Sequence, residues 1–197
     1  RQRGRLGTGV ERYSAIRALK AIDRSDVALL VLDATELVTA QDTHIAGYIQ
    51  QAAKGIVLVV NKWDLAMGKS QVESTTYIRN RLKFIPFAAV LFISAKLGQG
   101  VDKVIPQALK VFKERLKRIP TASVNNLVQQ TVAAHGPPRS GNRQLKFLYS
   151  TQAEVNPPTF VFFVNNASLI HFSYKRYLEN RLRESFGFDG TPLRLVF

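Results

Sequence analysis

Gly55-Ile56-Val57-Leu58-Val59-Val60-Asn61-Lys62-Trp63-Asp64 is the stretch on which the fold turns. Its apolar run, Ile56 to Val60, is mostly β-branched and has no alternating polar position, the pattern of a strand buried on both faces. Strands of that kind belong to parallel sheets, whose ligands sit beyond the carboxyl ends of the strands. The tetrad Asn61-Lys62-Trp63-Asp64 occupies that place.

The tetrad can be read simply as polar residues ending a strand. It also has a specific chemical reading. Guanine offers two adjacent donors, N1–H and the 2-amino group, and an ionised carboxylate at Asp64 has two acceptor oxygens to meet them. Adenine lacks that pair. Asn61 can both donate and accept, and the methylenes of Lys62 can lie along a purine face with the ammonium in water. By composition alone an N-K-x-D match arises in a chain of this length on the order of a few times in a hundred. Its neighbourhood lowers that chance. A second apolar run, Ala88 to Ile93, leads into Ser94-Ala95-Lys96, again at a strand end. The Ala95 N–H can reach a guanine carbonyl, where adenine has an amino group, and the Lys96 stem can cover the second face of the base. With both motifs in view, the chain resembles the guanine-specificity half of a translation-factor-type GTPase.

Composition sets the bounds. A length of 197 residues permits one large domain or two small ones, and 46% hydrophobic content supports real cores. There is no cysteine, so neither disulfides nor thiolate chemistry is available. His44, His135 and His171 are scattered without ligand spacing, so no metal site is expected of them. No apolar run reaches membrane-spanning length, and the arginine-rich start has no apolar h-region behind it; the expectation is a soluble, cytoplasmic chain. The formal charge of +14 points to a polyanionic partner.

The chain opens with a basic glycine-containing loop, Arg1 to Gly9, then a helix from Val10 to Arg24. Asp26 to Leu32 reads as a buried strand ending at Asp33-Ala34-Thr35, where Asp33 is either a ligand group or a turn or helix cap. Thr39 or Asp42 starts a helix to about Ala53 with Ile45, Ala46, Ile49 and Ala52 inward. Gly68-Lys69-Ser70 looks like the tail of a phosphate-binding loop, but that pattern needs a glycine where Trp63 stands. A helix over Val72 to Leu82 precedes the Ala88 strand. After the turn at Gly98 to Gly100, Val101, Val104, Ile105, Ala108, Leu109, Phe112 and Leu116 form an apolar helical stripe. Strand then helix, repeated, predicts an α/β domain with part of a doubly wound parallel sheet.

The rhythm changes at Ile119-Pro120-Thr121, which places a boundary between residues 1–118 and 119–197. Thr121 or Ser123 caps a helix with Val124, Leu127, Val128 and Val132 inward. Leu145, Phe147 and Tyr149 alternate as a strand, and Thr159 to Asn165 forms another. Ser173 opens a helix with Tyr174, Tyr177, Leu178, Leu182 and Phe186 on one face, and Pro192 to Phe197 closes as a strand. The order is α-β-β-α-β.

The runs Tyr13-Ser14-Ala15-Ile16-Arg17, Asn61-Lys62-Trp63-Asp64-Leu65, Pro158-Thr159-Phe160-Val161-Phe162-Phe163-Val164-Asn165 and His171-Phe172-Ser173-Tyr174-Lys175-Arg176-Tyr177-Leu178-Glu179-Asn180 are similar to those of the bacterial tandem-domain GTPases Der, also called EngA. The resemblance covers the whole chain, as the later part of the second GTPase domain followed by a small α+β KH-like domain. It implies a GTPase of large (50S) ribosomal subunit assembly, with GTP and GDP as ligands. Its KH-like domain is then expected to touch ribosomal RNA and the GTPase domains. The guanine site would comprise Asn61, Lys62, Asp64, Ser94, Ala95 and Lys96. An RNA face would comprise Lys175, Arg176, Arg181 and Arg183 with Arg139 and Arg143. Both parts are basic, at nets of +10 and +4.

The 197 residues contain neither a P-loop nor D-x-x-G, so they lack the phosphate cradle and the Mg2+ ligands, which are expected only in the intact protein. No catalytic residue is expected in this stretch, and these residues alone should not hydrolyse GTP. The second domain also lacks the G-x-x-G clamp of ordinary KH domains, so RNA contact there must use charge and shape. The competing expectation is an RNA- or ribosome-binding module with no nucleotide function of its own.

Overall fold

The computed structural model describes residues 17–137 and 143–197, so the expected loop at 1–9, the first part of the helix expected from Val10 to Arg24, and Arg139 lie outside the described residues. The chain divides into two compact units, one ending at Leu109 and the other spanning Lys110–Phe197.

The first unit is built on β1 (Val27–Asp33), β2 (Gly55–Asn61) and β3 (Ala89–Phe92), parallel and in that spatial order. From Gly55 to Val60 every residue of β2 is buried, as an uninterrupted apolar run between two neighbouring strands requires. The register pairs Asp33 with Asn61 and Val60 with Phe92, so the three strands finish almost level. Helices α1 (17–24), α2 (Ala40–Gln51) and α3 (Gln71–Arg81) connect or flank them. Thr39 and Asp42 form a reciprocal capping box at the start of α2, and Ser70 caps α3. The core joins Leu30, Leu32, Ile49, Ile56, Leu58, Val60, Ile78 and Leu82. Each such side chain contributes about 1.5–3 kcal/mol of burial before entropy is counted.

Helix α4 (Val104–Arg115) departs from the expected stripe. Val104, Val111 and Arg115 are buried, whereas Ile105, Leu109 and Leu116 are exposed. The reason is angular: positions 104, 111 and 115 fall on one helix face, and 105, 109 and 116 lie about 100–140° around from it at ~100° per residue.

The second compact unit takes in the last turns of α4, from Lys110 onward. Glu114 Oε2 accepts the Phe188 N–H at 2.7 Å, and the Arg115 guanidinium donates to Thr191 Oγ1 at 3.0 Å and Asn156 Oδ1 at 2.6 Å. Gly190 packs so close to Val111 that a Cβ there would run into a valine methyl. Helix α5 (Thr121–Ala134), β4 (Phe147–Val155), β5 (Pro158–Val164), α6 (Phe172–Phe186) and β6 (Arg194–Val196) follow, in the expected α-β-β-α-β order. β4 pairs antiparallel and β6 parallel to the central β5. The helices bury Val124, Leu127, Val128, Tyr174, Leu178 and Leu182 against Phe160, Phe162 and Leu195.

Two local expectations are corrected. Thr121 does not cap α5: its hydroxyl shares a 2.9 Å hydrogen bond with Thr151, and Pro120 stands at the cap position with no side-chain bond. Phe147 and Tyr149 do not share a face, because the register slips between them and Tyr149 pairs with Phe163. Phe147 turns to the core, and Tyr149 and Phe163 remain half exposed.

Candidate functional site

Three strand ends meet in the first unit. The parallel ladder does not stop at the strands: Ala34 N donates to Asn61 O at 2.9 Å, Ile93 N to Val60 O at 2.9 Å, and Trp63 N to Ile93 O at 3.0 Å. The backbones after β1, β2 and β3 are therefore stitched together just where the polar motifs begin.

Asn61 ends β2, and its Oδ1 accepts the Ala95 N–H at 3.0 Å. The N–H expected to meet a base carbonyl is thus spent on joining the two motifs, because the strand ends lie side by side. Lys62 follows in the left-handed region at φ 61°, a sharp turn that leads into the single helical turn Trp63–Leu65. Trp63 packs its ring against Phe92, with centroids 4.5 Å apart. Asp64 sits in that turn with Oδ1 buried and without a hydrogen-bond partner among the described residues. A buried acceptor left unmet costs about 1–3 kcal/mol, so this oxygen is a standing demand for a donor.

On the β3 side, Ser94 is fully buried; its N–H donates to Gln99 O at 2.9 Å and its Oγ accepts from Leu97 N at 3.2 Å. Ser94 therefore shapes the loop, whereas Ala95 and Lys96 are exposed on it. Gly100 closes the loop at φ 69°, where a Cβ would lie 2.8 Å from Phe92 O. Only glycine fits that approach.

Asp33 was open between a ligand group and a turn or helix cap; it caps the turn after β1 and also holds a lysine. Its Oδ1 accepts Thr35 N at 2.9 Å and Thr35 Oγ1 at 2.7 Å, and its Oδ2 accepts Lys62 Nζ at 2.5 Å. The Lys62 hydrogen bond, with the Thr35 donors behind it, holds the Asp33 carboxyl down at about 2, and Asp33 in turn raises the Lys62 ammonium above its ordinary value. Lys69 Nζ donates to Ala34 O at 2.9 Å and Thr35 O at 3.2 Å. The Gly68-Lys69-Ser70 tripeptide is thus a tie between loops and a helix cap. Sequence reasoning had no signal for either lysine contact, since both depend on strand register.

In the second unit the four basic residues of α6 are not brought together. Arg176 and Arg181 are five residues apart, which on a helix separates them by about 140°. Arg183 turns back to Phe188 O at 2.9 Å, Thr191 O at 3.0 Å and Glu179 Oε1 at 2.8 Å, and so braces the end of its own helix. Arg181 pairs with Glu184 at 2.7 Å. Lys175 lies over the Phe197 ring at 5.8 Å, and Arg176 is exposed. Arg143 lines a separate cleft of about 440 Å³ with Gln144, Lys146, Asn165, Asn166 and Leu169. Among the described residues no group of three or more His, Cys, Asp or Glu is placed to hold a metal, and no helix is long and apolar enough to cross a membrane.

Residues 11–134 match the family model described as "Elongation factor Tu GTP binding domain". Residues 118–197 match the model described as "KH-domain-like of EngA bacterial GTPase enzymes, C-terminal". The chain belongs to the Der (EngA) branch of the elongation-factor-Tu-type GTP-binding family. Its relatives include the GTPase Der of Thermomicrobium roseum, 52% identical over all of this chain and 44% of that protein. The GTPase Der of Desulfitobacterium hafniense is likewise 52% identical, over all of this chain and 45% of its own length. The chain therefore spans a little under half the length of these Der proteins. Among solved structures it is similar to a probable GTP-binding protein engB, at 19% identity and TM-score 0.46 over 55% of this chain and 71% of that one. It is also similar to Era in complex with MgGDPNP and nucleotides 1506-1542 of 16S ribosomal RNA, at 20% identity and TM-score 0.45 over 93% of this chain and 68% of that one.

Proposed function

We propose that the first unit supplies the base-recognition half of a guanine-nucleotide site. Asp64 accepts from guanine N1–H and the 2-amino group, Lys62 and Lys96 cover the two faces of the base, and Asn61, Ala95 and Ser94 hold the two loops in register. The observation that carries this reading is the buried, unpartnered Asp64 Oδ1, an acceptor in the turn after β2, on one of two loops that are bonded to each other. Membership of the Der family and the GTPase names of the relatives support it. In a longer protein that adds a phosphate cradle and Mg2+, the activity is GTP hydrolysis in the assembly of the large ribosomal subunit. The 197 residues alone bind the base weakly and turn over no GTP, since phosphoryl transfer depends on phosphate-positioning groups this sequence does not contain. Titration of the chain with GDP and with ADP tests the reading: a preference for GDP supports it, and equal binding overturns it.

The second unit is read as a contact module for ribosomal RNA. Its support is the net basic charge together with the cleft of Arg143 and Lys146. Lys175 and Arg176 are kept in this reading as contacts on α6 apart from that cleft, Arg181 lies on another side of the helix, and Arg183 belongs to the scaffold. Salt-dependent binding of an rRNA fragment by the chain, weakened by Arg143→Ala with Lys146→Ala, tests it.

A further inference from the structure

We propose that Asp33 is a positioning residue for Lys62, holding the lysine stem in place as one wall of the slot that receives the purine. This rests on the guanine reading above and adds to it a residue from a third strand.

Asp33 is unusually well fixed for a strand-end carboxylate. It is the last residue of β1, directly opposite Asn61 in the register, and the ladder continues past it through Ala34 N to Asn61 O. Both Thr35 donors bind its Oδ1, which leaves Oδ2 for the Lys62 ammonium alone. The Ala34 and Thr35 carbonyls of the same turn are held by Lys69. Lys62 is fixed at its other end by the left-handed backbone that follows β2. A lysine free at its tip samples many rotamers, and a base stacking on it must freeze them; one anchored at both ends has already lost that freedom before the ligand arrives.

The role has a distinctive signature. Stacking on a lysine stem concerns the face of the base and is indifferent to the groups on its edge. Loss of Asp33 should therefore weaken all purine nucleotides alike, whereas loss of an edge-reading carboxylate should change their ranking. Asp33→Asn is the informative variant, because an amide oxygen can still accept from Thr35 while the charge that holds Lys62 is gone.

The test is a titration of the 197-residue chain with GDP, IDP and ADP. It is followed by fluorescence of Trp63, the single tryptophan, and by its indole N–H resonance. Asp33→Asn is expected to weaken GDP and IDP by the same factor, about three- to tenfold. Asp33→Glu should restore most of the loss, and Lys62→Met should reproduce it, with no further loss when Asp33→Asn is added. If the parent chain does not prefer GDP over ADP, the guanine reading fails and this proposal with it. A parent that prefers GDP, beside an Asp33→Asn variant that binds as the parent does, overturns the role of Asp33 alone. A changed GDP to IDP ratio in Asp33→Asn overturns it too, since the residue would then act on the base edge. Should Asp33→Asn fail to fold, Lys62→Met decides: unchanged affinity there removes the wall that Asp33 is proposed to hold.

Discussion

Asn61 Oδ1 and Ala95 N–H are joined by a 3.0 Å hydrogen bond that links the end of β2 to the end of β3. The bond spans two loops 34 residues apart in the chain, so it closes a long connection with a single contact. Asn61→Ala should remove about 0.5–1.5 kcal/mol of stability. Its sharper effect is local: the Ala95 amide should exchange with deuterium at least several-fold faster, whereas amides in α2 stay at parent rates. Asn61→Asp keeps an acceptor and should preserve Ala95 protection. Equal exchange in all three chains would mean that the bond does not hold the loops.

The reach of sequence reasoning here follows strand and helix periodicity. β2 was legible because a strand buried on both faces has no polar alternation, and the tetrad after it was placed by that strand alone. The α-β-β-α-β order was legible from the apolar stripes of its two helices and the apolar runs of its strands. Contacts that depend on register were not. The Lys62 to Asp33 pair joins residues 29 apart through the lateral pairing of β1 and β2, and no spacing rule announces it. The face shared by Leu145, Phe147 and Tyr149 failed at a bulge, since one inserted residue turns the next side chain over. The Arg183 bonds to Phe188 O and Thr191 O were not legible either, because a guanidinium near a helix end can bend back to carbonyls beyond it, which a helical wheel does not represent.

Asp64 makes a prediction about ranking among bases. Asp64→Asn replaces one acceptor oxygen with an amino donor, which then faces a donor of guanine. Xanthine presents a carbonyl at the position of the 2-amino group and accepts from that donor. An unmet polar pair costs about 1–3 kcal/mol, or roughly one to two powers of ten in affinity. GDP should therefore weaken by about that factor and XDP should gain, as read by competition titration. Retained preference for GDP would remove Asp64 from the base edge.

Gly100 tests how much the Ser94 loop depends on its closing turn. At φ 69° an alanine is strained by about 1–2 kcal/mol, and its Cβ would also meet Phe92 O at 2.8 Å. Because that oxygen is backbone of β3, relief must move either the loop or the strand. Gly100→Ala should lower the denaturation midpoint and speed exchange at Ser94 and Ala95, whereas Gly68→Ala, with nothing within 4 Å of its Cβ, should cost only the backbone strain. Equal effects of the two changes would show that the contact with Phe92 is unimportant.

Arg115 is the largest fully buried side chain of the second unit, and it serves that unit from the last turn of α4. Arg115→Ala leaves the Thr191 hydroxyl and the Asn156 amide oxygen without this donor and opens a cavity. The loss should be about 2–4 kcal/mol. Thr191→Ala removes one partner only and should cost less, about 1 kcal/mol. Urea denaturation of the chain, followed by far-UV circular dichroism, measures both. A cost for Arg115→Ala no greater than that for Thr191→Ala would place the guanidinium outside the packing of this unit.

Asp33 should contribute to the acid limb of stability and Tyr174 to the alkaline one. Asp33 is held at about 2 in the fold, below its ordinary 3.8, chiefly by Lys62. The unfolded chain thus takes up this proton first, so the contribution is complete above about pH 4 and disappears as pH falls to about 2. Tyr174 moves the other way: burial raises its phenol to about 12, and its hydroxyl donates to His135 O at 2.9 Å. There the unfolded chain loses its proton first, so the contribution holds below about pH 10 and is lost as pH rises to about 12. Asp33→Asn should flatten the acid limb between pH 4 and 2, and it should also remove from the alkaline limb the part owed to Lys62, whose ammonium Asp33 raises. Tyr174→Phe should lower stability by about 1 kcal/mol at neutral pH and flatten the alkaline limb only. Denaturation midpoints measured from pH 2 to 12 on the three chains separate the two effects, and a limb that keeps its slope in the matching variant would transfer it to another group.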